Sequence, residues 1–205
     1  MMSLFKWFSC AILITLSIHA WADRVHPLSL PEIAASAATI FEGECVDIRS
    51  GVDEQSGLLA TWYTFKVTNR IKGDLSETFT FKQYGGSDGE RRIASPSAQY
   101  EKGKTVIVFL YGTSKIGFSS AVGLTQGKFS VIEHPATKKM VVSNGMPAAI
   151  LFKNTPFLPA AYDGQGKRLQ GAKQLQAKQL DHNEFIAVVQ ELIESASKDA
   201  KKEKE

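Results

Sequence analysis

Nucleophilic catalysis needs a serine, cysteine or threonine within reach of a histidine and an acid. The chain has 205 residues, with four histidines and two cysteines. Beyond residue 22 these reduce to His26, His134, His182 and Cys45. His134 precedes Pro135 in a predicted turn, and His182 follows Asp181 at a predicted helix start. No Gly-x-Ser-x-Gly elbow is present. Cys45 could act as a nucleophile beside one of these histidines. It sits in an apolar strand pattern, which reads more simply as a buried core thiol. Glu133-His134 is the one adjacent pair of metal-ligand types, short of the four spaced ligands of structural zinc. Asp88-Gly89-Glu90 lacks the further oxygen ligands of a calcium loop. The residues therefore predict no catalytic centre, no metal and no cofactor.

Binding chemistry is better represented. Two groups of residues could contact a partner. Asp88, Glu90, Arg91 and Arg92 lie in a long polar stretch from Gly85 to Gln99. Trp62, Lys66 and Arg70, with Lys72, share one face of an alternating strand. An aromatic and basic strand face also suits single-stranded nucleic acid. The formal net charge of +3 and the signs of export argue against that partner. A third motif, Gly123-Leu-Thr-Gln-Gly127, is read as structural: Gly123 and Gly127 permit a turn, and Gln126 bonds backbone to hold the loop.

The elements that would position these residues begin after a leader. Lys6, an apolar run from Trp7 to Ile18 and Ala20-Trp21-Ala22 form the pattern of a secretory signal peptide, with cleavage before Asp23. The run is shorter than the roughly 20 apolar residues of a membrane span. Cys10 lies within the run without a lipobox, so cleavage would leave Cys45 as the sole thiol and no intramolecular disulfide. The expected location is periplasmic or extracellular, with no membrane insertion after cleavage.

Ser29-Leu30-Pro31-Glu32 predicts a short helix start, with a capping serine, proline in the first turn and an acid near the helix dipole. From Thr39 to Arg49 the period becomes two. Phe41 and Cys45 share one face, Val46 and Ile48 the other, so the strand must bend near Gly43. Tyr63, Phe65, Val67 and Ile71 alternate with polar residues. After Lys72-Gly73-Asp74, Phe79 and Phe81 do the same, predicting an antiparallel hairpin. Thr105 to Tyr111 reads as a strand buried on both faces. Strands through Phe129 and Val131 and through Met140 to Val142 follow, after a second irregular stretch from Gly112 to Gln126. Residues 23–145 thus form the predicted domain. Residues 146–180 read as a linker or loosely packed extension, 181–197 as an amphipathic helix with its apolar stripe on the domain, and 198–205 as a charged tail.

Several segments carry a resemblance. Phe41-Glu-Gly-Glu-Cys-Val46, Phe65-Lys-Val67, Ile71-Lys-Gly73, Tyr84-Gly-Gly86, Tyr100 to Leu110 and, most specifically, Gly123-Leu-Thr-Gln-Gly-Lys-Phe129 occur in this order. The chain resembles a group of exported bacterial proteins whose domain looks like the netrin-type or tissue-inhibitor-of-metalloproteinase (TIMP-like) OB barrel. The resemblance covers about residues 30–143. It implies a mainly β fold, an OB-like closed barrel with a short N-terminal helix and a C-terminal helix. It also implies a non-enzymatic binding module for another exported protein, with a matrixin-like metalloprotease as companion. TIMP-type inhibitors chelate the protease zinc through an N-terminal cysteine; a chain starting at Asp23 has none. The alternative reading is an envelope-associated scaffold or glycan-binding protein.

Overall fold

A computed structural model describes residues 25–155 and 157–202. The expected signal peptide lies outside them, as does the end of the charged tail.

The first helix, α1 (Leu30–Ser36), starts as its residues predict. The Glu32 carboxylate reaches back to accept from the Ser29 N–H and hydroxyl, both at 2.7 Å, which satisfies a donor the helix cannot. The strands are β1 (Thr39–Val52), β2 (Leu59–Lys72), β3 (Thr78–Tyr84), β4 (Gly86–Ser87), β5 (Arg92–Ile93), β6 (Thr105–Leu110), β7 (Lys128–Glu133), β8 (Met140–Ser143) and β9 (Leu180–Asp181). Short helices α2 (Ala148–Leu151) and α3 (Gly171–Leu175) precede the long α4 (His182–Lys202). Seven strands form one antiparallel sheet in the order β3-β2-β1-β6-β7-β8-β9, and β4 pairs with β5 as a separate hairpin.

The expected closed barrel does not form. Among the described residues β3 forms a strand ladder with β2 alone, its bridge from Lys82 to Phe118 being isolated, and β9 with β8 alone, so the sheet has two ends. The physical reason lies in β7. It continues pairing outward to β8 and β9, which carries that half of the sheet under the helices instead of back toward β3.

Two hydrophobic cores lie on opposite sides of the sheet. One is aromatic: Phe41, Tyr63, Phe65, Phe81 and Tyr100 are buried together with Val106, Val108 and Leu110. Phe65 and Phe81 stack with centroids 6.0 Å apart, and Tyr100 meets both edge-on. The other is built under the helices from Ile40, Ile107, Phe109, Phe129 and Val142, against Leu30 and Ile33 of α1 and Phe185 and Val189 of α4. β6 serves both, its alternate residues entering alternate cores, as its unbroken apolar run requires.

β1 also serves both, Ile40 entering one and Phe41 the other. Its pairing with β2 shifts register between Ile40 and Phe41, between Glu42 and Gly43 and again between Cys45 and Asp47. A Cβ at Gly43 would lie 2.7 Å from the Lys66 carbonyl oxygen, so only glycine allows the strands this close. Ile71 does not share the core of Tyr63 and Phe65, as strict alternation would have it. Past the bulges it packs against the helix-side core.

The segment 146–180 is packed, not loose. Ala148, Leu151, Ala160, Ala161 and Leu180 are buried, and Phe152 meets Phe185 edge-on at 6.3 Å. Asp181 caps α4, its Oδ1 accepting from the N–H groups of Asn183 and Glu184 at 3.1 and 3.2 Å. Glu184 itself turns away to accept from the Ala160 N–H at 2.6 Å. The helix runs to Lys202, beyond the expected end at 197. Its stripe is the predicted one: Phe185, Ile186 and Val189 are buried, with Leu192 and Ile193 packed at the margin. Among the described residues no helix is long and apolar enough to cross a membrane.

One polar contact ties α4 to β1. His182 Nε2 lies 3.0 Å from Glu42 Oε2, 140 positions away in sequence, with both side chains largely buried. The hydrogen bond to Glu42 raises the His182 pKa above its ordinary value, against the opposing effect of burial; Asn183 and Asp181 add to the rise. The contribution to stability is then complete below the unfolded value of about 6.5, and is lost as pH climbs through the higher folded value. The unfolding midpoint should fall as pH rises from 6 to 8, and His182→Gln should remove part of that slope. Identical slopes in the two proteins would show that the pair does not titrate with folding.

Candidate functional site

The expected partner-contacting residues are split by the fold. Thr61 faces the β4–β5 hairpin, its hydroxyl donating to the Gly85 carbonyl at 2.8 Å, and Ser50 Oγ accepts from the Ser87 N–H at 2.7 Å. Trp62 points to the other side of β2, since successive side chains alternate. The hairpin residues and the Trp62 face are thus not one surface.

Within the hairpin the charges are partly spent on its own turn. Asp88 accepts from the N–H groups of Glu90 and Arg91, and from Arg91 Nε and Nη2 at 2.9 and 2.7 Å. The hydrogen bonds from Arg91 hold the Asp88 carboxyl below the usual carboxylate range. Arg91 closes a turn; Glu90 and Arg92 point into solvent.

On β2, Lys66 and Arg70 are exposed; Lys66 keeps the Trp62 side, whereas Arg70 stands opposite Phe41, past a register shift, on the aromatic-core side, so the expected common face of Trp62, Lys66 and Arg70 is not kept. They stand about 13 and 26 Å along the strand from Trp62 at about 3.3 Å per residue, so the three do not form one compact patch. Trp62 instead carries the Arg49 guanidinium, 4.4 Å from the ring centroid. It is not covered by α4, which packs on the helix-side core.

What Trp62 does join is a cleft that its residue pattern did not signal. A cavity of about 420 Å³ lies along the outer edge of β3, lined by Trp62, Phe79, Lys82, Tyr111, Gly112 and Ser119 among others. A second, of about 210 Å³, shares Tyr111, Gly112 and Ser119 and adds Gln83, Tyr84 and Phe118. Aromatic rings crowd the two mouths. Tyr84 and Tyr111 are exposed, and Phe118 meets Tyr84 edge-on at 6.5 Å. Lys82 Nζ lies 4.7 Å from the Phe118 centroid and 2.7 Å from Asp53 Oδ1, with both charged groups largely buried. The Lys82 bond, then that from Ser56, holds the Asp53 carboxyl below its ordinary range. The pair fixes the rim rather than offering a free charge.

Gln83 is the unusual residue here. It is 1% exposed. Its Nε2 donates to Ser95 Oγ and to the Ala98 carbonyl, both at 3.1 Å, while Oε1 has no partner among the described residues. A buried acceptor without a donor is costly.

Cys45 is fully buried, its Sγ 3.7 Å from the Asp47 carbonyl oxygen. Burial, then the Asp47 charge, pushes its thiol up, away from the reactive thiolate. Among the described residues no group of three His, Cys, Asp or Glu side chains is placed to hold a metal.

The Gly123–Gly127 motif has a structural explanation. Gly123 and Leu124 take φ of +61° and +65°. A Cβ on Gly127 would lie 2.9 Å from both the Phe109 oxygen and the Val122 nitrogen, whose chains cross there. Gln126 holds something other than its own loop. Its Oε1 accepts from the Leu28 N–H at 2.7 Å and its Nε2 donates to the His26 carbonyl at 3.0 Å. It therefore fastens the segment leading into α1.

Gln126→Ala should cost about 1–3 kcal/mol, two lost hydrogen bonds at roughly 0.5–1.5 kcal/mol each. Amide exchange should speed up at Leu28 first; unchanged exchange there would show that the segment is held by its apolar contacts alone.

Comparison with protein-family models, curated proteins and solved structures gave no match to this chain.

Proposed function

We propose that the protein is an exported, non-enzymatic binding module, and that it recognises another exported protein through the cleft at the edge of β3. The observation that carries this reading is the ring of Trp62, Tyr84, Tyr111 and Phe118 around two adjoining cavities, on the end of the sheet whose other face packs on the aromatic core. Aromatic side chains offer large contact area at low entropic cost and dominate binding hot spots. The aromatic core packed against the other face of β2 and β3 holds this end of the sheet in place before the partner arrives, which lowers the cost of binding.

The strand arrangement also suits an OB-like reading, in its partly open form. A long bent β1 pairs with both β2 and β6, and the gap falls between β3 and the chain after β6. The resemblance to TIMP-like exported proteins makes a metalloprotease the first partner to test, as companion or as inhibited enzyme. Any inhibition would need a route other than an N-terminal cysteine on zinc. The exposed Tyr84 and Tyr111 rings favour one second reading, an envelope-associated scaffold that stacks sugar faces on them.

The test begins with capture from a periplasmic extract by the tagged mature protein, with mass spectrometry naming the captured protein. Affinity for that protein is then measured. Trp62→Ala and Tyr84→Ala should each weaken binding about tenfold or more, with midpoints shifted little, as for most surface changes. Arg92→Ala on the hairpin should leave affinity unchanged. The reverse pattern would move the site to the β4–β5 hairpin, and competition by soluble glycan would favour the sugar-binding reading.

A further inference from the structure

The two edges of the sheet are not alike. β9 is two residues long. β3 has seven, with no proline or glycine, and its single charge, Lys82, is tied to Asp53. Natural edge strands are usually blunted by short length, proline, bulges or free charge. β3 has none of these devices.

Its free backbone groups can be assigned. The Val67 N–H donates to the Glu77 carbonyl at 2.7 Å, and Phe79, Phe81 and Gln83 stand opposite Phe65, Tyr63 and Thr61. The odd-numbered residues therefore bond to β2. Backbone groups alternate sides along a strand, so those of Thr78, Thr80 and Lys82 face outward. The chain itself already uses this row. The Ser119 N–H donates to the Lys82 carbonyl at 2.9 Å, and Phe118 forms a parallel bridge with Lys82. That contact ends at Lys82. The Thr78 carbonyl accepts from the Ser76 hydroxyl. The N–H groups of Thr78 and Thr80 and the Thr80 carbonyl have no main-chain partner among the described residues.

The larger cavity reaches Thr80, with Phe79 and Thr80 on one wall and Ala38 and Gly112 on the other, and Thr78 follows along the same edge. Lys66 stands opposite Thr78 in the register and has no ion-pair partner among the described residues.

We propose that this edge binds its partner by strand addition: an extended segment with an acidic side chain lies in the cleft and pairs its main chain with Thr78 and Thr80. It continues the row that residues 117–119 begin. The carboxylate meets Lys66, and the aromatic rim closes over alternate side chains of the segment. Main-chain pairing gives affinity and the side-chain pockets give choice, as in other strand-addition sites. The inference rests on the binding-module reading and adds the mode of recognition.

The probe is a library of linear decapeptides displayed on phage, selected against the mature protein. Selected peptides should be extended and acidic. Methylating the backbone nitrogens of a selected peptide one at a time should abolish binding at alternate positions only. Thr80→Pro removes an outward N–H at a position where an edge strand tolerates proline, and should weaken peptide binding at least tenfold; Thr80→Val keeps the N–H and should not. The methylation pattern decides the matter even if Thr80→Pro fails to fold. A library without binders, or binding indifferent to both backbone changes, overturns strand addition. If Trp62→Ala weakens binding of the captured protein while Thr80→Pro does not, strand addition fails and the binding module stands. If neither weakens it, the cleft is not the site and both fail.

Discussion

The close crossing of β1 and β2 at Gly43 governs the rest of the architecture. β1 pairs with both β2 and β6, and alternation along it gives Ile40 to one core and Phe41 to the other. On β2, strict alternation would keep Ile71 on the face of Tyr63 and Phe65. The register shift between Glu42 and Gly43 moves it to the helix side, and Gly43 lets the Lys66 carbonyl approach to a distance that any side chain would block. The same bend curls β2 and β3 over the aromatic core, while β7 to β9 continue under the helices.

Each core needs a cover, and the two covers differ in kind. On the helix side, α1 and α4 bring long apolar stripes, and Gln126 and the His182–Glu42 contact fasten their ends. On the aromatic side the cover is loop: Ala98, Tyr100, Leu75 and Ala121 close over the rings. Loops held on a rigid scaffold are where recognition usually resides. Here the loop after β6 also supplies Tyr111 and Phe118, so one segment both seals the core and forms the cleft wall.

Much of the β pattern was legible because its period is short. Alternation gave the β2 and β3 faces, the unbroken apolar run gave the doubly buried β6, and Gly43 marked the bend. The barrel closure did not follow, because which strand ends pair is decided by long-range packing that alternation does not encode. Residues 146–180 looked loose for a related reason. Their buried residues are small or widely spaced among glutamines and lysines, in elements of two to five residues that no period can reveal. For the site, Trp62 was legible as an aromatic on a polar strand face. Its partners in the cleft come from β3 and from residues 111–119, and only the fold brings them together. Asp88 and Arg91 looked like free charges since their spacing does not show that they bond to each other.

Recognition at this edge requires β3 to present an open row of backbone groups beside the cleft, and amide hydrogen exchange on the free protein reads that row directly. Phe79 and Phe81, bonded to β2, should exchange slowly, while Thr78 and Thr80 should exchange orders of magnitude faster, giving an alternating pattern along one strand. Uniform protection across Thr78 to Phe81 would mean that the edge is already paired in the free protein, and would contradict the central claim.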